Sequence, residues 1–177
     1  MEGGERLRLF CALRLPADTL DAIVAWQPRV ADAGRGVSRE NLHVTLAFLG
    51  ARPADELPGV VAELQAAAAV AERPVLRVRG WRETRSVGMI VLDDEGGAAT
   101  RLADDVQTRL ERRGVYRRES RPWLPHVTVL RFRERPRLRP ELPELGAVVP
   151  SDAAVYLSRL RPSGAQYEVL ESAVLGG

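Results

Sequence analysis

Two short segments of the chain repeat one pattern, and the pattern demands a matched pair of β-strands: Leu42-His43-Val44-Thr45-Leu46 and Pro125-His126-Val127-Thr128-Val129. They hold the only two histidines in the protein. Side chains alternate faces along a strand, so residues two apart share a face. His43 and Thr45 should project together, with Leu42, Val44 and Leu46 turned into a core. His126 and Thr128 should do the same, with Val127 and Val129 buried behind them. Two imidazoles and two hydroxyls on rigid strands form a set of tools suited to phosphate chemistry.

The segments around these strands read as alternating elements. Residues 6–15 form an apolar run with partial alternation, a buried strand. Pro16 opens a helix, where its missing N–H is harmless, and Leu20, Ile23, Val24 and Val30 follow at helical spacing. Gly34 and Gly36 mark the turn out. Residues 41–50 are the first motif strand, and 55–71 a second helix ending in an alanine run. Residues 75–81 and 86–92 read as two strands, with a loop at 93–97. A third helix spans 98–113, with Leu102, Val106 and Leu110 at four-residue intervals and Gly114 at its end. Residues 122–133 carry the second motif strand. Residues 134–150 contain four prolines and read as loop with one short helical turn. Residues 153–160 and 166–174 close the chain as a hairpin around Pro162-Ser163-Gly164.

A motif strand follows a helix in both halves, as an internal duplication would give. Two such units facing each other would gather His43, Thr45, His126 and Thr128 into one cleft. No Gly/Ser linker separates them, so residues 1–177 read as one domain with two lobes.

Composition limits the partners. Apolar residues make up 45% and charged residues 28%, ordinary values for a soluble globular protein. No apolar run approaches a membrane span, and Met-Glu-Gly-Gly-Glu lacks the pattern of a secretory leader. A cytoplasmic location and no membrane partner are expected. The single Cys11 excludes an internal disulfide framework and a cysteine-rich metal site. Every basic side chain other than the histidines is arginine, whose planar fork grips phosphate bidentately. Net charge is only +2, but residues 112–139 hold ten arginines against two acids and bracket His126. That block favours an anionic ligand.

Several chemistries fit poorly. Two histidines without a cysteine or acidic partner nearby make an incomplete zinc site. No G-x-S-x-G supports a serine hydrolase, and Gly34-Arg35-Gly36 lacks the rest of a dinucleotide fingerprint. Acid–base catalysis fits better. Opening a cyclic phosphodiester needs a base for water and an acid for the departing alkoxide, and histidine serves either role near neutral pH. Threonine hydroxyls can donate to the phosphate oxygens. No metal or other cofactor is required.

These residues resemble the 2H phosphoesterase superfamily, and within it the RNA 2′,3′-cyclic phosphodiesterases, also called 2′-5′ RNA ligases. Glu40-Asn-Leu-His-Val-Thr-Leu-Ala-Phe-Leu-Gly50 is similar to the family's first motif and Pro122-Trp-Leu-Pro-His-Val-Thr-Val-Leu-Arg131 to its second. The opening strand and the closing segment Ser158-Arg-Leu-Arg-Pro-Ser-Gly-Ala-Gln-Tyr-Glu-Val-Leu170 also match. Cys11 departs from a position where the family often carries an aromatic, and the central segment from Gly80 to Val91 matches only loosely.

The resemblance implies a two-lobed α+β fold, with pseudo-symmetric antiparallel sheets lining a central cleft and helices outside. It implies hydrolysis of a terminal RNA 2′,3′-cyclic phosphate to a 2′-phosphate, with a reversible 2′-5′ ligation. The partner is then RNA with that terminus, tRNA fragments included, acted on by a monomer without an obligate protein partner. His43 and His126 would be catalytic, Thr45 and Thr128 phosphate-binding, and Arg131 and Phe48 substrate-binding. Strict alternation turns Phe48 and Arg131 away from the histidines, so a bulge, a strand end or a long reach is needed to bring them in. Two other readings remain: a 2H enzyme for a small cyclic nucleotide or ADP-ribose cyclic phosphate, and a non-catalytic RNA-binding module.

Overall fold

The computed structural model describes residues 4–176. The first three residues, part of the segment read above as free of a leader pattern, lie outside them. Eight strands form two four-stranded sheets, antiparallel throughout. The first sheet has the order β3-β1-β7-β8, built from β1 (Arg6–Arg14), β3 (His43–Pro53), β7 (Asp152–Arg161) and β8 (Gly164–Val174). The second has the order β2-β6-β5-β4, built from β2 (Arg35–Gly36), β4 (Val75–Glu83), β5 (Val87–Glu95) and β6 (His126–Arg131). Each motif strand thus lies in a different sheet, as the repeat required.

Alternation along β1 sorts its side chains. Leu9, Cys11 and Leu13 enter the main core, which also takes Val44 and Leu46 of β3 and Ile90, Leu92, Val127 and Val129 of the other sheet. Phe10 and Ala12 point the opposite way and pack with Ala154, Tyr156 and Tyr167 in a second, smaller apolar cluster. That cluster floors the cleft. Cys11 is fully buried, and burial alone pushes its thiol up to about 12, so it packs as a small apolar side chain.

Three helices cover the sheets. α1 (Ala17–Trp26) follows Pro16, α2 (Leu57–Val70) buries Val60, Leu64, Ala67 and Ala68, and α3 (Ala98–Arg112) buries Leu102, Val106 and Leu110. The Asp94 carboxylate accepts the Ala99 and Thr100 amides and the Thr100 hydroxyl, capping the first turn of α3. Gly97 precedes α3 at φ 80°, a conformation costly for a residue with a Cβ.

The expected elements are present with five differences. Strand β3 runs past Gly50, where it was expected to stop, through Pro53. α1 stops at Trp26 and tightens into a 3-10 helix, Gln27–Ala33, which carries Val30 into the core. The residues read as a turn around Gly34 and Gly36 pair as the short edge strand β2 against β6. Strand β5 extends through Glu95, where a loop was expected. The proline-rich segment 134–150 contains no helical turn; its one β contact is a bridge from Val148 to Leu76. It is ordered instead by Glu83, whose side chain is 2% exposed. Burial opposes that charge. Hydrogen bonds donated by Trp81 Nε1, the Leu138 amide, Arg135 Nε and the Arg137 amide outweigh the burial and hold the carboxyl below its ordinary range.

Candidate active site

β3 and β6 present their motif residues from opposite lobes toward one cleft, and both strands bulge at the same motif position. In β3, Ala12 pairs with Thr45 and Cys11 with Ala47, leaving Leu46 as the extra residue. In β6, Met89 pairs with Thr128 and Gly88 with Leu130, leaving Val129 as the extra residue. Each bulge puts two consecutive side chains into the core, Leu46 with Ala47 and Val129 with Leu130. The next residue therefore returns to the face of the histidine. Those residues are Phe48 and Arg131. Strict alternation is overturned for both, and they line the cleft with His43, Thr45 and Thr128 in a cavity of about 490 Å3.

The bulge carbonyls are held from behind by two glutamines. Gln107 Nε2 of α3 donates to the Leu46 carbonyl at 2.9 Å. Gln27 Nε2, just past α1, donates to the Val129 carbonyl at 3.0 Å and to that of Val37 at 2.9 Å. Trp123 adds a tie across the lobes, its Nε1 donating to the Thr45 carbonyl at 2.9 Å.

The two imidazoles are oriented alike. His43 Nδ1 lies 2.7 Å from the Asn41 carbonyl and His126 Nδ1 lies 2.8 Å from the Leu124 carbonyl, each two residues back along the chain. A carbonyl only accepts, so both Nδ1 atoms carry the hydrogen and both Nε2 atoms are left for the cleft. The Thr45 hydroxyl donates to the lone pair of His43 Nε2 at 2.9 Å.

His43 stands in an aromatic enclosure, with ring centroids 4.9 Å from Phe10, 5.5 Å from Tyr167 and 5.9 Å from Tyr156. Desolvation there pushes its pKa down to about 4. The bond to the Asn41 carbonyl works the other way, and the neighbouring His126 and Arg131 add to the fall.

Three arginines, Arg8, Arg35 and Arg131, line the same cavity, and among the described residues no carboxylate does. The Arg8 guanidinium lies 5.7 Å from the centre of the Phe48 ring, which is 52% exposed. Arg131 Nη2 donates to the Tyr167 hydroxyl at 3.4 Å. Arg35 Nη1 donates to the Ser163 carbonyl at 2.7 Å, and Asn41 Nδ2 to that of Ala165 at 2.8 Å. These two bonds pin the β7–β8 hairpin against the cleft. Gly164 at φ 118° permits this, because a Cβ there would lie 2.7 Å from Arg35 Nη2.

His126 opens mainly onto an adjoining cavity of about 650 Å3, which shares Thr45 and Phe48 with the first. All six residues expected at the site therefore lie along one pair of connected cavities. Sequence reasoning missed Arg8, Arg35, Phe10, Tyr156, Tyr167 and both glutamines. A signal existed for some of them: Arg8, Phe10 and Ala12 are the alternate set to the core residues Leu9, Cys11 and Leu13.

A two-lobed α+β protein with one His-x-Thr strand in each lobe has the architecture of the 2H phosphoesterases. The chain belongs to the 2′-5′ RNA ligase superfamily, whose family model matches residues 15–161. It is 34% identical over 188 residues to a Thermus thermophilus protein named RNA 2′,3′-cyclic phosphodiesterase, covering 97% of this chain and 91% of that one. It is 31% identical over 134 residues to the Escherichia coli protein of the same name, covering 72% and 73%. Among solved structures, TT0787 of Thermus thermophilus superposes with a TM-score of 0.83 at 30% identity, covering 97% of this chain and 99% of that one. Apo LigT of E. coli gives 0.78 at 25% identity, covering 98% and 100%.

Proposed function

We propose that this protein hydrolyses the 2′,3′-cyclic phosphate at the end of an RNA to a 2′-phosphate, with His43 and His126 as the acid–base pair. The observation that carries the reading is the matched orientation of the two imidazoles. Both Nδ1 atoms are held by a carbonyl, so both Nε2 atoms face the cleft to exchange protons, that of His43 once the Thr45 hydroxyl turns from it to the phosphate. One Nε2 takes a proton from water as its oxygen bonds to phosphorus. The other gives a proton to O3′ as the P–O3′ bond breaks. Thr45 and Thr128 donate to the non-bridging oxygens, and Arg131 balances their charge. Phe48, exposed beside Arg8, is placed to stack on the terminal base. When a 5′-hydroxyl replaces water, the same displacement makes a 2′-5′ bond. No step asks for a metal.

The arginine-lined cavity, without a carboxylate among the described residues, supports an RNA end as substrate. Its lining continues through Arg35 and Arg131 into a further crevice of mixed charge, where Arg133 and Arg135 stand beside Asp32 and Glu134 and Arg135 is paired with Glu83.

The test is an incubation with an oligoribonucleotide ending in a 2′,3′-cyclic phosphate, a 2′,3′-cyclic mononucleotide and ADP-ribose cyclic phosphate, with a chelator present. The expected product is the RNA 2′-phosphate. His43→Ala and His126→Ala should each lose roughly 100- to 10,000-fold in rate while staying folded. Full activity in either variant, or activity abolished by chelator and restored by zinc, overturns the mechanism. Turnover of only the small substrates moves the substrate to that class, and RNA binding without turnover leaves a binding module.

A further inference from the structure

We infer that the Asn41 side chain is a positioning residue for His43: by gripping the outer edge of β8 it fixes the carbonyl that aims the imidazole and the tyrosine that encloses it. The kinetic consequence rests on the proposed reaction, and the positioning is read on His43 itself.

A bond from Nδ1 to a carbonyl aims a ring only as well as the carbonyl is held. The two motifs hold theirs differently. In Leu124-Pro125-His126 the carbonyl belongs to the residue before a proline, and the proline ring confines that residue to extended backbone. In Asn41-Leu42-His43 a leucine stands where the proline would be. Asn41 ends a single 3-10 turn, Arg39–Asn41, ahead of β3, whose pairing with β1 begins only at His43. The restraint on its carbonyl must come from elsewhere.

Its own side chain supplies it. β8 is an edge strand, so its outward N–H and C=O groups have no strand beside them. Asn41 Nδ2 donates to the Ala165 carbonyl at 2.8 Å, and Asn41 Oδ1 accepts from the Tyr167 amide at 3.3 Å. A carboxamide carries the same donor and acceptor as a backbone peptide. Asn41 therefore takes the place of a neighbouring strand at these two residues. Aspartate there would set a lone pair against the Ala165 carbonyl, and leucine would leave both edge groups unpaired.

The grip reaches His43 by two routes. Through the backbone it fixes the carbonyl that Nδ1 donates to at 2.7 Å. Through β8 it fixes Tyr167, whose ring stands edge-on at 5.5 Å from His43 and 5.0 Å from Phe10, and whose hydroxyl accepts from Arg131. Aim and enclosure of the imidazole thus depend on one side chain that need not touch the substrate.

The deciding variants are Asn41→Ala and Asn41→Leu, which keep the backbone carbonyl and remove the grip. We expect amide exchange at Tyr167 to speed up at least about ten-fold. Nitrogen NMR of the His43 ring should show one tautomer in the parent protein, with the hydrogen on Nδ1, and a mixture in the variants. The His43 midpoint should climb from about 4 toward the ordinary 6.5. The ionisable groups facing His43, namely His126, Arg131, Tyr156 and Tyr167, are all retained, so the climb reports water entering the enclosure. The His126 tautomer should not change. The kcat for a 2′,3′-cyclic mononucleotide should fall roughly ten- to hundred-fold, as misaiming a catalytic group does. Variants that melt lower yet keep the His43 tautomer, midpoint and kcat overturn the inference, because a merely structural tie does no more than that. Unchanged exchange at Tyr167 overturns it too. Should both variants fail to fold, Asn41→Gln, which sets the amide one methylene out of place, is read in the same way. If the parent protein hydrolyses no cyclic phosphate while the His43 tautomer and midpoint respond, the reaction falls and the positioning stands.

Discussion

His43 is held neutral by its surroundings. Phe10, Tyr156 and Tyr167 strip it of water, and Arg131 faces it from the other lobe. An imidazole usually titrates near 6.5, whereas this one titrates near 4. NMR of the His43 ring between pH 7 and pH 4 should follow that lower midpoint in the free protein. Arg131→Ala should raise it, because a neighbouring positive charge is removed. Inorganic phosphate should raise it further, because an anion between Thr45 and Thr128 favours the imidazolium. The unfolded chain takes up this proton near 6.5 and the folded protein only near 4, so the unfolded state binds more protons in between. Stability should therefore decline as pH falls through that window, and His43→Asn should flatten the decline. A His43 midpoint at 6.5, unmoved by Arg131→Ala, would show that the enclosure is wetter than its packing implies.

The strands show both what was legible in the sequence and what was not. Element order, the two motif strands, the long helices and the closing hairpin were legible because alternation, helical spacing and turn residues are local signals. His43, Thr45, His126 and Thr128 were legible because the pattern occurs twice. The faces of Phe48 and Arg131 were not, because a bulge is made by pairing with a neighbour strand and leaves no mark on its own segment. Nor could β2 be seen, a two-residue strand with no period to detect. The glutamines were hidden for the same reason, since Gln107 lies 61 residues from the carbonyl it caps and Gln27 lies 102 from its own. They carry a prediction. Gln107→Leu leaves the buried Leu46 carbonyl without its donor, a loss of about 1–3 kcal/mol in stability. It also frees the bulge that aims Phe48. We expect KM for the cyclic-phosphate RNA to rise roughly ten-fold with kcat within about three-fold, the pattern of lost ground-state binding. Gln27→Leu should act more weakly, because the Val129 carbonyl keeps the Val37 amide as donor. Stability lost in Gln107→Leu with KM unchanged would reduce the glutamine to a structural tie.

The two lobes share more than a cleft. A single apolar core runs through both sheets, from Leu9, Leu13 and Val44 to Ile90, Leu92, Val127 and Leu130, with Val60 and Leu64 of α2 and Leu102 and Leu110 of α3 inside it. Two polar ties cross from the second sheet's lobe to the first, from Trp123 to the Thr45 carbonyl and from Arg35 to the Ser163 carbonyl. Neither sheet can open without exposing apolar surface of the other, so the chain should unfold in one step as a single domain. The placement of the tryptophans allows a direct check. Trp26 lies in α1, Trp81 in β4 and Trp123 just before β6, so none belongs to the sheet that holds His43. Leu13→Ala, at a fully buried position of that sheet, should cost about 2–5 kcal/mol. For a chain of this length that lowers the melting temperature by roughly 5–15 °C. Tryptophan fluorescence, reporting from the other lobe, should move by the same amount as far-UV circular dichroism. Leu92→Ala in β5 should shift both signals together in the same way. A fluorescence melt left in place by Leu13→Ala while the dichroism moves would divide the protein into two folding units, and would make the cleft an interface between domains.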